Sequence, residues 1–136
     1  MYADAAPIAA DRSREELDSI TERVIGAGQR VSAGLGFGFL EKVYENALVV
    51  ELSRVGLRTE QQKPCKVTYR EVVVGCYVTD LLVEGAVVVE VKAVTELDRA
   101  HLAQCVHYLR ATGLRVALLM NFGRPRLQWR RVVNSF

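Results

Sequence analysis

Three charged residues stand inside two apolar stretches near the middle of the chain. Asp80 lies within the sequence YVTDLLV, and Glu90 and Lys92 lie within VVVEVKAV. Burying an unpaired charge is costly, so such side chains normally bind one another, a metal ion or a substrate. Two carboxylates and a lysine suit metal-assisted attack on a phosphate ester, in which the lysine holds an attacking water, helps to deprotonate it, or stabilises charge on the phosphate.

The position of Asp80 relative to Glu90 depends on the turn between the two stretches. Glu90 and Lys92 share one face of their strand, because side chains alternate along a strand. A three-residue turn over 84–86 would place Asp80 opposite Glu90 on that face. A two-residue turn would pair Asp80 with Val89 and turn Glu90 away, since a one-residue slip inverts every side chain. We expect the three-residue turn, because it contains a glycine.

Two carboxylates that face each other repel and raise one pKa unless a cation lies between them. Hard oxygen ligands suit Mg²⁺ or Mn²⁺, which use one or two protein carboxylates together with waters and substrate phosphate. We therefore expect Asp80 and Glu90 to bind Mg²⁺, with Mn²⁺ able to replace it. The alternative is that Glu90 and Lys92 form only a surface ion pair on a sheet edge, but their strand is apolar on both faces.

Further candidate residues occur at helical spacing. Glu41 and Glu45 are four residues apart and share a helix face, which offers one further carboxylate to the metal. Gln104 and Tyr108 repeat that spacing on a later helix, where they could orient the metal site or contact a nucleic-acid backbone. The alternatives are that the glutamates are solvated helix positions and that Tyr108 is a packing residue.

The hydrophobic pattern predicts the elements that position these residues. Ser13 and Glu16 form the S-x-x-E pattern of a capping box, at which a first helix begins. The order predicted from the residues is helix, helix, three antiparallel strands, helix and two strands. After the first helix, which the glycines over 34–38 end, these segments cover residues 39–55, 65–69, 72–83, 86–94, 98–111, 115–121 and 127–133.

Length and composition fit a single soluble domain. The chain has 136 residues, of which 50% are hydrophobic and 25% charged, as in ordinary globular proteins. The net charge of +2 is too small to indicate nucleic-acid binding by itself. Three cysteines without close spacing, no signal-peptide pattern and no apolar run of about 18 residues lead us to expect a cytoplasmic protein without a membrane partner.

Arginines surround the single tryptophan near the C-terminus. Arg124, Arg126, Arg130 and Arg131 flank Trp129 and could form a strip that binds a nucleic-acid backbone. The alternation of Arg126, Gln128 and Arg130 with Leu127 and Trp129 is more typical of a half-exposed edge strand. We therefore assign the strip no function from the sequence.

The motifs occur in an order that resembles a known family. The sequence GFLEKVY, from Gly38 to Tyr44, spells G-x-x-E-x-x-Y and is followed by the Asp, the Glu-x-Lys and the Q-x-x-x-Y motif. Over residues 20–133, including Asn-Phe-Gly at 121–123, the chain resembles the GxxExxY family of the PD-(D/E)XK nuclease superfamily. Ser32 and Phe37 stand where that family often has His and Pro.

The resemblance implies a restriction-endonuclease-like fold of the α/β (α+β) class, with a mixed central sheet of about five strands flanked by helices. We expect one such domain over residues 13–136, after a flexible start over 1–12. The resemblance also assigns roles to residues already singled out. Magnesium binds to Asp80 and Glu90, Lys92 is catalytic, Glu41 supplies a helix carboxylate, and Gln104 and Tyr108 match the Q-x-x-x-Y helix of the exonuclease-like branch.

The activity implied by the resemblance is metal-dependent hydrolysis of phosphodiester bonds, with DNA as the expected partner. The alternative is a catalytically silent module that keeps the nuclease fold and binds nucleic acid or a protein. So small a chain has little surface with which to specify a target, which makes a homodimer or a partner protein a reasonable expectation.

Overall fold

Three helices and five strands make up the part of the chain that the computed structural model describes, residues 12–134. They follow the predicted order, which is therefore confirmed. Apart from Arg12, the flexible start predicted over 1–12 lies outside the described residues. The elements are α1 (Arg14–Leu35), α2 (Glu41–Arg54), β1 (Thr59–Tyr69), β2 (Val72–Val83), β3 (Val87–Lys92), α3 (Arg99–Thr112), β4 (Val116–Asn121) and β5 (Gln128–Val133).

The strands form one mixed sheet in the order β1-β2-β3-β4-β5. Neighbouring strands are antiparallel except for β3 and β4, which are parallel. A parallel pair needs a crossover connection, and α3 supplies it. The predicted sheet of about five strands, mixed and flanked by helices, is confirmed.

Helices cover both faces of the sheet. The side chains of β3 are buried up to Val91, and all those of β4 are buried, which explains why both strands are apolar on both faces. On one face α1 and α2 pack against Leu81, Val89 and Leu118. On the other face α3 packs against Leu82, Val88 and Leu119.

The helix ends agree with the sequence signals. Ser13 caps α1 in a capping box with Glu16, as predicted. Asp98 caps α3, and Gly113 ends it in the left-handed conformation with φ of 76°. The helix predicted over 39–55 begins two residues later, at Glu41.

The first strand is longer than predicted. We expected it to begin at residue 65, whereas β1 begins at Thr59. The segment before residue 65 is polar and contains Pro64, so it lacks the apolar alternation by which strands are recognised. Proline and charged side chains are typical of an edge strand, which is the position that β1 occupies.

None of the three cysteines forms a disulfide bond, and two of them lie in the core. Cys65 and Cys105 are buried between α3 and the sheet, while Cys76 is exposed on the outer part of the β1–β2 hairpin. Within residues 12–134, no helix combines the length and the apolar character needed to cross a membrane.

The turn between β4 and β5 lies against the end of β3. Asn121 accepts hydrogen bonds at Oδ1 from the backbone N–H groups of Val94 (2.9 Å) and Gly123 (3.0 Å). Its Nδ2 donates to the carbonyl oxygen of Val94, also at 2.9 Å. A Cβ added at Gly123 would overlap the backbone of Val94, so this position requires glycine. The turn is therefore fixed next to the residues that follow Lys92.

Gly123→Ala is expected to lower the free energy of unfolding by about 1–3 kcal/mol, because the added methyl group meets backbone atoms that cannot move aside. Urea denaturation measures the change. Gly34→Ala is the control, since among the described residues no heavy atom other than those of its chain neighbours and its own helix backbone lies within 4 Å of a Cβ at that position. The control should be neutral or slightly stabilising, and equal destabilisation of both variants would argue against the close contact.

Candidate active site

The β2–β3 hairpin brings Asp80 and Glu90 together. Its register pairs Val83 with Val87, which confirms the three-residue turn. The same register, continued along both strands, places Asp80 opposite Glu90. The two carboxylates lie close enough for the charge of Asp80 to raise the pKa of Glu90.

Side chains of β2 replace backbone hydrogen bonds where the ladder to β3 ends. Oδ2 of Asp80 accepts a hydrogen bond of 2.7 Å from the backbone N–H of Val91. Oγ1 of the buried Thr79 donates to the carbonyl oxygen of Val89 at 3.3 Å. These contacts fix the Asp80 carboxylate against β3, beside Glu90.

Glu90 is a buried carboxylate with an unsatisfied oxygen. The residue is 3% exposed, and Oε1 has no hydrogen-bond partner among the described residues. Burial, and next the charge of Asp80, raise the pKa of Glu90 to about 8, and the nearby charge of Lys92 acts in the opposite direction. A site with these properties favours a proton or a cation between the two carboxylates.

A lysine and a third carboxylate complete the group. Lys92 is half-buried and lies on the same face of β3 as Glu90. Glu41 is the first residue of α2, and its carboxylate accepts a hydrogen bond from the backbone N–H of Ala93. Partial burial raises the pKa of Glu41, Lys92 lowers it, and Asp80 raises it further. The end of β3 and the start of α2 therefore meet at one site.

Gln62 also contacts the site, although no sequence pattern identified it. Its Nε2 donates to Oδ1 of Asp80 at 3.3 Å and to Oε2 of Glu45 at 3.0 Å. Gln62 has a φ of 53°. The backbone pairing of β1 with β2 is interrupted at this point, since it does not include Gln62 and Asp80. A left-handed non-glycine residue costs about 1–3 kcal/mol and persists only where its surroundings impose it. The only sequence signal was a pair of adjacent glutamines in a polar segment.

Glu45 is buried beside the site and is linked to Asp80 through Gln62. The side chain is 2% exposed and accepts hydrogen bonds from Lys42 Nζ at 3.1 Å and Gln61 Nε2 at 2.6 Å. With the further bond from Gln62, both carboxylate oxygens are occupied. Glu45 therefore holds the side chain that contacts Asp80.

The two predicted residues of α3 have different surroundings. Tyr108 is 2% exposed, and its hydroxyl donates to the carbonyl oxygen of Lys63 at 2.8 Å. This bond ties α3 to β1 one residue after the unusual backbone of Gln62. Gln104, one turn earlier, is exposed. Tyr108 thus fixes the conformation of β1 from α3, which covers the face of the sheet opposite to α1 and α2.

Comparison with known proteins identifies the family. The family model of the PD-(D/E)XK nuclease superfamily matches residues 18–132, a range that includes every residue of the site described above. No curated protein and no solved structure shows significant similarity to the chain. The mixed sheet with helices on both faces agrees with the restriction-endonuclease-like fold expected of such a nuclease. The chain therefore belongs to the PD-(D/E)XK nuclease superfamily.

Proposed function

We propose that the protein is a metal-dependent nuclease of the GxxExxY family that hydrolyses phosphodiester bonds in DNA. The observation that supports this most strongly is the buried Glu90 carboxylate, whose unpartnered oxygen lies in a group that also contains Asp80 and Lys92. Such an arrangement costs stability in the absence of a ligand. Membership of a nuclease superfamily supports the same reaction class.

Asp80 and Glu90 are the proposed ligands of Mg²⁺ or Mn²⁺, with Glu41 as a further carboxylate. Among residues 12–134, no three or more His, Cys, Asp or Glu side chains form a ready-made metal cage. The carboxylate pair still fits Mg²⁺, which commonly takes one or two protein carboxylates and fills its other positions with water and substrate phosphate. When bound, the ion polarises the phosphoryl oxygen and offsets its developing charge.

The protein side chains have separate proposed tasks. Lys92 places its ammonium where it can stabilise charge on the phosphate and hold the attacking water. Glu41 lies beside Lys92, and the charge of Lys92 lowers the pKa of the Glu41 carboxyl against the effect of burial. Asp80 is restrained by the N–H of Val91 and by Gln62, so its carboxylate has little freedom to leave the site. This restraint is the preorganisation that such a site needs.

A cleavage assay tests the proposal. The purified protein is incubated with end-labelled single-stranded and duplex DNA in Mg²⁺, in Mn²⁺ and in a chelator. We expect metal-dependent fragments that are absent with Asp80→Ala. A module that only binds DNA would cut neither substrate and would bind DNA equally well with and without Mg²⁺. Cleavage that persists in Asp80→Ala would remove the site from the reaction.

Gln62→Ala is expected to weaken Mn²⁺ binding roughly 10- to 100-fold, because partners that orient a metal ligand typically contribute that much. Titration calorimetry measures the affinity without any need for cleavage. Gln61→Ala is the matched control, since Gln61 bonds to Glu45 and Asn46 but not to Asp80. Equal Mn²⁺ affinity in the two variants would exclude a positioning role for Gln62.

A further inference from the structure

The loop between α1 and α2 exposes three large apolar side chains at the edge of the candidate site. Phe37, Phe39 and Leu40 are 59%, 51% and 79% exposed. We refer to residues 36–40 as the apolar loop. It leads directly into Glu41, whose carboxylate lies beside Lys92. Single exposed apolar residues are common, whereas several together indicate a binding surface.

Tyr44 fixes the backbone of the apolar loop from the protein interior. This residue is fully buried, and its hydroxyl donates to the carbonyl oxygen of Gly36 at 2.7 Å and accepts from the N–H of Phe39 at 3.1 Å. The Tyr44 ring stacks on Phe122, with ring centroids 5.0 Å apart and planes 10° apart. A surface fixed in this way loses little conformational entropy when it binds a ligand.

Basic residues adjoin the apolar loop on the side of β4 and β5. Phe122 begins the turn over 122–127, which we call the basic turn because it carries Arg124 and Arg126. The N–H of Phe122 donates to the carbonyl oxygen of Lys92 at 2.8 Å. The exposed Arg126 lines a groove with residues from the end of α1. The Tyr44–Phe122 stack therefore joins the basic turn to the apolar loop, next to the site.

The position of Arg126 differs from the edge-strand interpretation of the sequence, whereas Arg124 lies between the two strands as predicted. Arg124 and Arg126 precede β5, which begins at Gln128, so they lie in the turn and not along the edge strand. In contrast, Arg131 lies within β5 and bonds to Asp18 of α1 at 2.6 Å. Of these three arginines, only Arg124 and Arg126 therefore lie in the basic turn beside the site.

We propose that the apolar loop is a stacking platform for unpaired bases, so that the substrate is single-stranded DNA or a DNA end with an unpaired strand. Aromatic side chains beside cationic ones are the usual means of binding single strands, because bases stack on the rings while the cations contact phosphates. Duplex DNA offers no free base faces within its length. The proposal rests on the proposed nuclease function, because it assumes that the bound strand is cut at the candidate active site. The binding of the strand to the apolar loop does not require cleavage.

Fluorescence anisotropy with the full chain in a chelator tests the platform. The probes are labelled oligothymidylate of about 20 nucleotides, enough to cover a binding site of this kind, and a duplex of the same length. We expect Phe37→Ala to lower oligothymidylate affinity roughly 5- to 100-fold with little effect on the duplex. Tyr69→Ala is the control, since Tyr69 is 64% exposed at the far end of the β1–β2 hairpin. Unchanged oligothymidylate affinity in both variants would overturn the proposal.

A spectroscopic probe detects the stacking itself and does not depend on a destabilised variant. Trp129 is the single tryptophan, so Phe37→Trp combined with Trp129→Phe places one indole on the apolar loop. Stacked bases should quench its fluorescence as oligothymidylate is added. Saturated binding without quenching would contradict the proposal. Light scattering provides a second test. If the protein forms a dimer that Leu40→Ser dissociates, a second copy of the chain covers the apolar loop and the proposal is also contradicted.

The two proposals can fail separately. Oligothymidylate binding that depends on Phe37, without cleavage in any divalent metal, would support the platform and reject the nuclease. The opposite result would support the nuclease and reject the platform. In that case cleavage depends on Asp80, proceeds equally on single-stranded and duplex DNA, and is unaffected by Phe37→Ala.

Discussion

Lys92→Ala is expected to lower the rate of DNA cleavage by about 10²- to 10⁴-fold while leaving Mn²⁺ affinity nearly unchanged. Stabilisation of transition-state charge and positioning of a proton-transfer group typically contribute rate factors of this size. Lys92 belongs to the same group as Asp80 and Glu90, but an ammonium cannot be a metal ligand. Its loss should therefore affect the reaction and spare the binding of the ion.

Single-turnover cleavage and Mn²⁺ calorimetry separate these two effects. Asp80→Asn should lose both cleavage and tight Mn²⁺ binding, because it removes a proposed ligand. Lys63→Met is the control, since Lys63 lies on β1 and pairs with Glu60 at 3.0 Å. A Lys92→Ala variant that cuts at the full rate would remove this residue from the mechanism.

Glu90→Gln is expected to raise the melting temperature of the metal-free protein by roughly 3–10 °C at pH about 8, because the neutral amide removes a buried negative charge whose lost hydration costs at least about 1–3 kcal/mol. The pKa of Glu90 is raised from its usual 4.5 to about 8, chiefly by burial. Between these values the folded protein binds a proton that the unfolded chain lacks, so stability falls as pH rises through this window. The variant should not show this fall.

Thermal unfolding at several pH values across the window, in a chelator, measures the effect. Glu96→Gln serves as the control, because the Glu96 side chain is 72% exposed and should behave like the unchanged protein. Added Mn²⁺ should stabilise the unchanged protein and have little effect on Glu90→Gln. Parallel stability curves for the two glutamate variants would mean that Glu90 is not a strained buried carboxylate.

The sequence was informative where local chemistry decides the structure. The apolar character of β3 on both faces predicted its burial, and the glycine-containing turn predicted the register that aligns Asp80 with Glu90. The charged residues were recognised because they interrupt apolar strands. The capping box at Ser13 fixed the start of α1 for the same kind of local reason.

The remaining features depend on contacts between distant segments. Nothing in the pattern around Gln62 predicts its left-handed backbone, because Asp80, Glu45 and Tyr108 surround it only after folding. The polar start of β1 gave no strand signal. The apolar loop was recognised as a glycine-rich break, but its contact with Tyr44 and Phe122 emerges only from the packed structure.

Anomalous diffraction from a crystal soaked in Mn²⁺ tests directly whether Asp80 and Glu90 bind a divalent metal ion. We expect one strong peak between the Asp80 and Glu90 carboxylates, about 2.0–2.3 Å from an oxygen of each, as is usual for such an ion. The same soak of Glu90→Gln should show a much weaker peak. A site without anomalous density, or a peak that contacts neither carboxylate, would mean that Asp80 and Glu90 are not the metal ligands.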